Sequence, residues 1–280
     1  MVQHNKTKVI VFDLDGTLYE DTHHFNYYAG RLQEKLPVEN RLPFWNDYET
    51  AASGNHTLRI GRVYDAKRDL VLLQQEGIVT QAFYWDGTSV DESKLKELYK
   101  EKITIDLDSM LSVGDLWWVP ASIARHYGLS GQMGHEAFLE TRKYMMSSEF
   151  QMKKINSFKE TLLSLKDSGI KNVLLTKSPK EDSEVILSKL ELETVFDKKI
   201  FDGKKPTFTS DRFEEIAIEF KVDYREILSV GDNWINEILP AKKLGCSTVL
   251  IDAHAISDDT FADKVVKNIS EVIPILHSLN

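Results

Sequence analysis

The stretch that most constrains this chain is Lys8-Val9-Ile10-Val11-Phe12-Asp13-Leu14-Asp15-Gly16-Thr17-Leu18-Tyr19. Val9 to Phe12 is continuously apolar, without the polar alternation of a half-exposed strand. That pattern belongs to a strand covered on both faces, as in the parallel sheet of an α/β fold. Ligands in open α/β sheets bind outside the carboxyl ends of the strands, and this strand delivers Asp13, Asp15 and the flexible Gly16 to that edge. Taken alone, the segment equally fits a polar turn after a strand, so the rest of the chain has to decide.

At 280 residues and 42% hydrophobic, the chain can bury a proper core and is long enough for one large domain or two unequal ones. Its net charge of −9 gives no basic surface for a nucleic-acid polymer or an anionic membrane, though a local patch around an anionic substrate stays open. Residues 1–8 are polar and run straight into the strand, and no window approaches the roughly 20 apolar residues of a membrane span. A cytoplasmic protein with no membrane partner is expected. The lone Cys246 cannot form an internal disulfide and reads as a buried thiol at a strand entry, in keeping with a reducing compartment.

Residues 18–36 are expected to be helical, with Pro37 and Pro43 breaking the helix. Leu58 to Tyr64 alternates, residues 65–68 turn, and Asp69 to Leu73 is apolar again, which predicts a β-hairpin. A strand over Val79–Trp85 and helices over Glu92–Lys102, Ser122–Tyr127 and Gly134–Met146 follow. From residue 158 strands and helices alternate regularly. Helices are predicted over Phe158–Lys166, Glu181–Leu190, Arg212–Phe220 and Glu237–Leu244, and strands over Ile170–Thr176, Ile227–Val230 and Ser247–Ile251, with a short mixed segment over Val195–Phe201. This spacing argues for crossovers and a parallel sheet. The first strand finds no partner in residues 20–157 and is expected to join the later sheet. The resulting division is a core of 1–19 with 158–280 and an inserted domain of 20–157.

Four strand ends then carry complementary polar groups: Asp13 with Asp15, Thr176, Lys205 beside Pro206, and Asp232 followed by Glu237. Carboxylates converging at one edge repel unless a cation neutralises them, and oxygen-only ligands favour a hard ion such as Mg²⁺. A lysine and a hydroxyl beside that ion suit a phosphoryl group, and Asp13 is placed to attack it and form an aspartyl phosphate.

These residues also carry a resemblance. Asp13-Leu14-Asp15-Gly16-Thr17, the strand ending in Thr176, Lys205-Pro206, and Gly231-Asp232-Asn233-Trp234-Ile235-Asn236-Glu237 resemble the four ordered motifs of the haloacid dehalogenase-like hydrolases. The resemblance covers residues 5–20 and about 158–280. It implies a Rossmann-like parallel sheet core with a second, mostly helical cap domain, here expected to contain a β-hairpin. It implies that Asp13 is the nucleophile and Asp15 the general acid/base. Thr176 and Lys205 would hold phosphoryl oxygens, while Asp13, the backbone carbonyl of Asp15 and Asp232 would bind Mg²⁺. Gly16, Thr17, Lys177, Lys204 and Asn233 lie within or beside the motifs and count as candidate phosphate contacts. Lys204 also competes with Lys205 for the lysine role, since only Pro206 favours the second. The family commonly has aspartate where Glu237 stands, which implies for it either a metal contact, direct or through water, or a place behind the ligands.

Asp15 favours phosphoester hydrolysis, because family members that cleave carbon–halogen bonds lack a second acid there: halide leaves without a proton. The insertion stands where the family places a cap that closes over substrate. His24 and Arg31 follow the catalytic loop and are candidate substrate contacts, although an amphipathic helix explains them equally. Trp117-Trp118-Val119-Pro120 reads as cap core or as a ring-stacking wall. The expected activity is Mg²⁺-dependent hydrolysis of a small-molecule phosphate monoester, with nucleotides and sugar phosphates leading. A sugar phosphomutase and a non-catalytic phosphate-binding scaffold are the alternatives. The protein is expected as a monomer or homodimer.

Overall fold

The computed structural model describes residues 7–106, 108–253 and 262–279. The chain begins with strand β1 (Val9–Phe12), then builds α1 (His23–Lys35), α2 (Val38–Ala52), β2 (Val63–Asp65), β3 (Leu70–Gln75), β4 (Ile78–Phe83), α3 (Glu92–Leu98), β5 (Met110–Ser112), α4 (Trp118–His126) and α5 (Gly131–Met146). It continues with α6 (Phe158–Asp167), β6 (Lys171–Leu175), α7 (Lys180–Lys189), β7 (Lys198–Ile200), α8 (Thr209–Phe220), β8 (Ile227–Gly231), α9 (Leu239–Leu244), β9 (Ser247–Ile251), β10 (Lys264–Val266) and α10 (Ile269–His277). Two compact units result, residues 1–21 with 146–280, and residues 22–145. Residues 146–157, which the sequence reading counts with the insertion, group with the first unit.

In the first unit six parallel strands run in the order β10-β9-β8-β1-β6-β7. β1 is interior, flanked by β6 and β8, which is why its four residues are all apolar and buried. Val9 and Val11 share a cluster with Val173, Leu175, Phe213, Ile216, Ile227 and Cys246. Burial there pushes the Cys246 thiol up to about 12, so it is a packing group and a poor nucleophile at neutral pH.

In the second unit the expected hairpin is present as β2–β3, with Tyr64 opposite Val71, and β4 and β5 extend it to an antiparallel sheet of order β4-β3-β2-β5. Its turn is held by Asp65, whose Oδ1 accepts from the backbone N–H groups of Lys67 and Arg68. A helical core of Tyr28, Leu32, Phe44, Val119 and Ile123 lies alongside in the same unit, and Trp117 packs against it, so the Trp117–Pro120 stretch is core. Pro43 does not end a helix: α2 passes through it. The bond Pro43 forfeits is the one to the carbonyl of Glu39, and both residues are exposed, so water can take its place. Among the described residues no helix is long and apolar enough to cross a membrane.

Candidate active site

Parallel register brings the site together. Phe12 pairs with Leu174 on one side and Val230 on the other, so Asp13, Thr176 and Asp232 all emerge just past the same edge of the sheet. Asp13 stays tied to the ladder through its N–H, which donates to the Val230 carbonyl at 3.1 Å. A single helical turn then carries the chain from Leu14 to Leu18, closed by the Leu18 N–H on the Leu14 carbonyl at 2.9 Å. Gly16 sits in this turn at φ +78°, and a Cβ there would lie 2.2 Å from Oδ2 of Asp232. Both the left-handed backbone and the close approach require glycine.

Of the two adjacent lysines, Lys205 is the one that reaches the carboxylates. It is 4% exposed, and its ammonium donates to Oδ1 of Asp13 and to Oε1 of Glu237, each at 2.6 Å. Lys204 is exposed, with φ +52° and its ammonium 5.9 Å from the centre of the Phe208 ring. Lys204 therefore stands outside the carboxylate cluster.

Glu237 uses both oxygens. While Oε1 accepts from Lys205, Oε2 accepts from the Asn233 N–H at 3.0 Å. The Asn233 side chain in turn accepts from the N–H groups of Ile235 and Asn236, capping a π-helical turn over Trp234–Ile238. The wide turn and the reciprocal cap set Glu237 under the sheet edge, where a Cβ on Gly231 would meet its Cγ at 2.8 Å. Asn233, counted among candidate phosphate contacts, has its side-chain oxygen committed to this cap.

Asp13, Asp232 and Glu237 form a group whose carboxylate oxygens lie within 4.8 Å of one another. Burial raises the Asp13 carboxyl above its ordinary range despite the pull of Lys205, and pushes Glu237 up to about 7. Burial by itself would lower Lys205, but the two carboxylates hold it above an ordinary lysine. Three neighbouring carboxylates, two of them buried and bonded to one ammonium, leave an excess of negative charge, and the donor set is oxygen only. Those residues fit a hard divalent cation such as Mg²⁺.

Asp15 is not part of that acidic group. Its carboxylate accepts from the Tyr19 hydroxyl at Oδ1 (2.7 Å) and from the Ser178 hydroxyl at Oδ2 (2.6 Å). Thr176 is buried, and its Oγ1 accepts from the Ser178 N–H at 3.1 Å within the turn after β6, while the Ser178 hydroxyl bond to Asp15 links that turn to the turn after β1. Thr17 is fully buried and Lys177 exposed. Sequence reasoning missed both Ser178 and Tyr19 as partners of Asp15. The signal for Tyr19 is chemical: a hydroxyl four residues after a motif carboxylate. A cavity of about 180 Å³ at the start of α6, lined by Leu18, Ile155, Ser157 and Leu190 among others, contains none of the clustered acids.

The two cap candidates lie in the second unit. His24 is buried there against Phe25 and Trp117, with ring centres 3.9 and 5.1 Å away. Arg31 pairs with Glu34 and covers the Tyr27 ring at 5.1 Å.

The family profile of haloacid dehalogenase-like hydrolases matches residues 7–245. None of the curated proteins matches the chain significantly. Solved structures similar to it include a protein from Clostridium difficile thought to be a phosphatase, 16% identical with a TM-score of 0.53, over 97% of this chain and 99% of that one. A haloacid dehalogenase-like phosphatase from Thermococcus onnurineus is 17% identical with a TM-score of 0.51, over 96% of this chain and 98% of the other. A dehalogenase in an intermediate complex is 15% identical with a TM-score of 0.50, over 97% of each chain. At these identities the likeness carries the fold and leaves the reaction open.

Proposed function

The chain belongs to the haloacid dehalogenase-like hydrolases and is a hydrolytic enzyme, and from that premise we propose that it is a Mg²⁺-dependent phosphatase of small-molecule phosphate monoesters. The observation that carries this reading is the cluster of Asp13, Asp232 and Glu237, in which the buried Lys205 pairs with Asp13 and Glu237. A site with excess negative charge excludes an anionic substrate unless a cation is also held. A cation and an ammonium together suit a phosphoryl group, whose charge spreads over its oxygens in transfer.

Asp13 and Asp232, with the backbone carbonyl of Asp15, would hold Mg²⁺, which supplies charge neutralisation for the phosphoryl oxygens. An oxygen of Asp13 attacks phosphorus, and the bond to the leaving oxygen breaks as Asp15 gives that oxygen its proton. Lys205 and the Thr176 hydroxyl bind the phosphoryl oxygens and orient the group. Water then attacks the aspartyl phosphate and returns a proton to Asp15, freeing phosphate and the Asp13 carboxylate. Glu237 holds Lys205 at its working position from behind. The presence of Asp15 favours ester hydrolysis over dehalogenation, because an alkoxide needs a proton to leave and a halide does not.

The test is release of inorganic phosphate from p-nitrophenyl phosphate with Mg²⁺, in the wild type and Asp13→Asn. Activity in the wild type alone supports the reading, and equal activity in both proteins sinks it.

A further inference from the structure

Asp15 is anchored at both carboxylate oxygens by hydroxyls from separate stretches of the first unit. Tyr19 is 2% exposed, so the core fixes its ring and thereby its hydroxyl. Ser178 is fixed by its backbone: its N–H donates to Oγ1 of Thr176 at 3.1 Å, and its carbonyl accepts from the Asp202 N–H at 3.2 Å. A carboxylate held at one oxygen still swings about its Cβ–Cγ bond. Held at both, it keeps one orientation.

We infer that Tyr19 and Ser178 are positioning residues that set the orientation of the Asp15 carboxyl and so fit the enzyme to alkyl phosphate esters, whose leaving oxygens are strongly basic. This rests on the proposed reading of Asp15 as the proton carrier. As the P–O bond to the leaving group breaks, the electron pair stays on that oxygen and the Asp15 proton moves to it. In the second step the P–O bond to Asp13 breaks as water's oxygen bonds to phosphorus, and water's proton returns to Asp15. Both transfers act over one hydrogen-bond length and weaken steeply with misalignment. A nitrophenoxide leaves as a stable anion and needs little of that proton. A phenoxide needs more, and an alkoxide most. The two hydroxyls therefore matter in proportion to the basicity of the leaving oxygen, a dependence that a merely structural role does not produce.

The experiment compares kcat/KM, which reports the step that expels the leaving group, on p-nitrophenyl phosphate, phenyl phosphate and glycerol 2-phosphate with Mg²⁺. Tyr19→Phe, Ser178→Ala and Asp15→Asn are measured beside the wild type. Tyr19→Phe and Ser178→Ala are expected to lose about tenfold or more on the phenyl and glycerol esters and less than about threefold on the nitrophenyl ester. Ser178→Thr, which keeps a hydroxyl, is expected to regain most of the loss. Uniform losses in Tyr19→Phe and Ser178→Ala, beside a steep leaving-group dependence in Asp15→Asn, overturn the positioning role alone. A uniform loss in Asp15→Asn overturns the proton-carrier reading, and the positioning role with it.

Discussion

The Lys205 ammonium lies 2.6 Å from Oδ1 of Asp13, a contact between residues 192 positions apart in the chain. Both groups are buried, so the pair is formed away from water, where an ionic partner is hard to replace. The same ammonium meets Glu237 at 2.6 Å, so one cation organises two carboxylates from different strand ends.

Lys205→Met leaves those two carboxylates buried without their cation. The expected cost is about 3–5 kcal/mol of stability, together with loss of at least about a thousandfold in kcat as electrostatic stabilisation of the phosphoryl group disappears. Urea unfolding and phosphate release measure the two effects. Lys204→Met, at the exposed neighbouring position, is expected to change either by little.

Glu237→Asp shortens the side chain by one methylene, so it cannot reach Lys205 and the Asn233 N–H together. The loss of one buried hydrogen bond is expected to cost about 1–3 kcal/mol, read as a lower thermal midpoint, and to reduce kcat. Glu237 thus uses the extra length over the family's aspartate to bridge the lysine and the start of the π-helical turn.

Much of this was legible in the sequence, for physical reasons. Continuous apolar character at Val9–Phe12 identified an interior parallel strand, and polar groups after four strand ends identified one edge. Short elements escaped: β5 and β10 are three residues each, too brief for periodicity to show. Lys204 and Lys205 are the same residue type side by side, and only the fold, which buries the second, separates them. The Ser178 bond to Asp15 depends on how two turns meet in space, and no local pattern encodes that, whereas Tyr19 stands only four residues after Asp15. Pro43 misled because its missing donor matters only where the orphaned carbonyl is shielded from water.

Gly16→Ala places a methyl group against Asp232 and forces a non-glycine residue to φ +78°. Titrating Mg²⁺ against phosphate release is expected to show a higher half-saturating concentration and about a hundredfold lower activity. Because the strained turn carries Asp15 as well, added Mg²⁺ is not expected to restore the wild-type rate.

His56 gives the second unit a response to acid. Burial lowers its pKa below the ordinary value of 6.5, outweighing the pull of Asp47 toward the charged form. Its Nδ1 accepts from the Leu58 N–H at 2.9 Å, which the neutral ring allows and a proton on that nitrogen does not. As pH falls below 6.5 the unfolded chain takes up the proton more readily than the folded one, so stability is lost on acidification and is unaffected well above that pH. His56→Asn, whose side-chain oxygen can accept from Leu58, is expected to show a smaller fall in urea midpoint between pH 7.5 and pH 5.5 than the wild type. Equal falls would remove His56 as the cause.

The most direct test of the central claim is the mass of the peptide containing residue 13 after rapid acid quench of enzyme turning over p-nitrophenyl phosphate with Mg²⁺. The mechanism predicts a transient phosphoryl adduct on Asp13 that forms within the first turnover, disappears when substrate is exhausted, and is absent in Asp13→Asn. Rapid phosphate release with no adduct at any quench time, or the same release from Asp13→Asn, would contradict it.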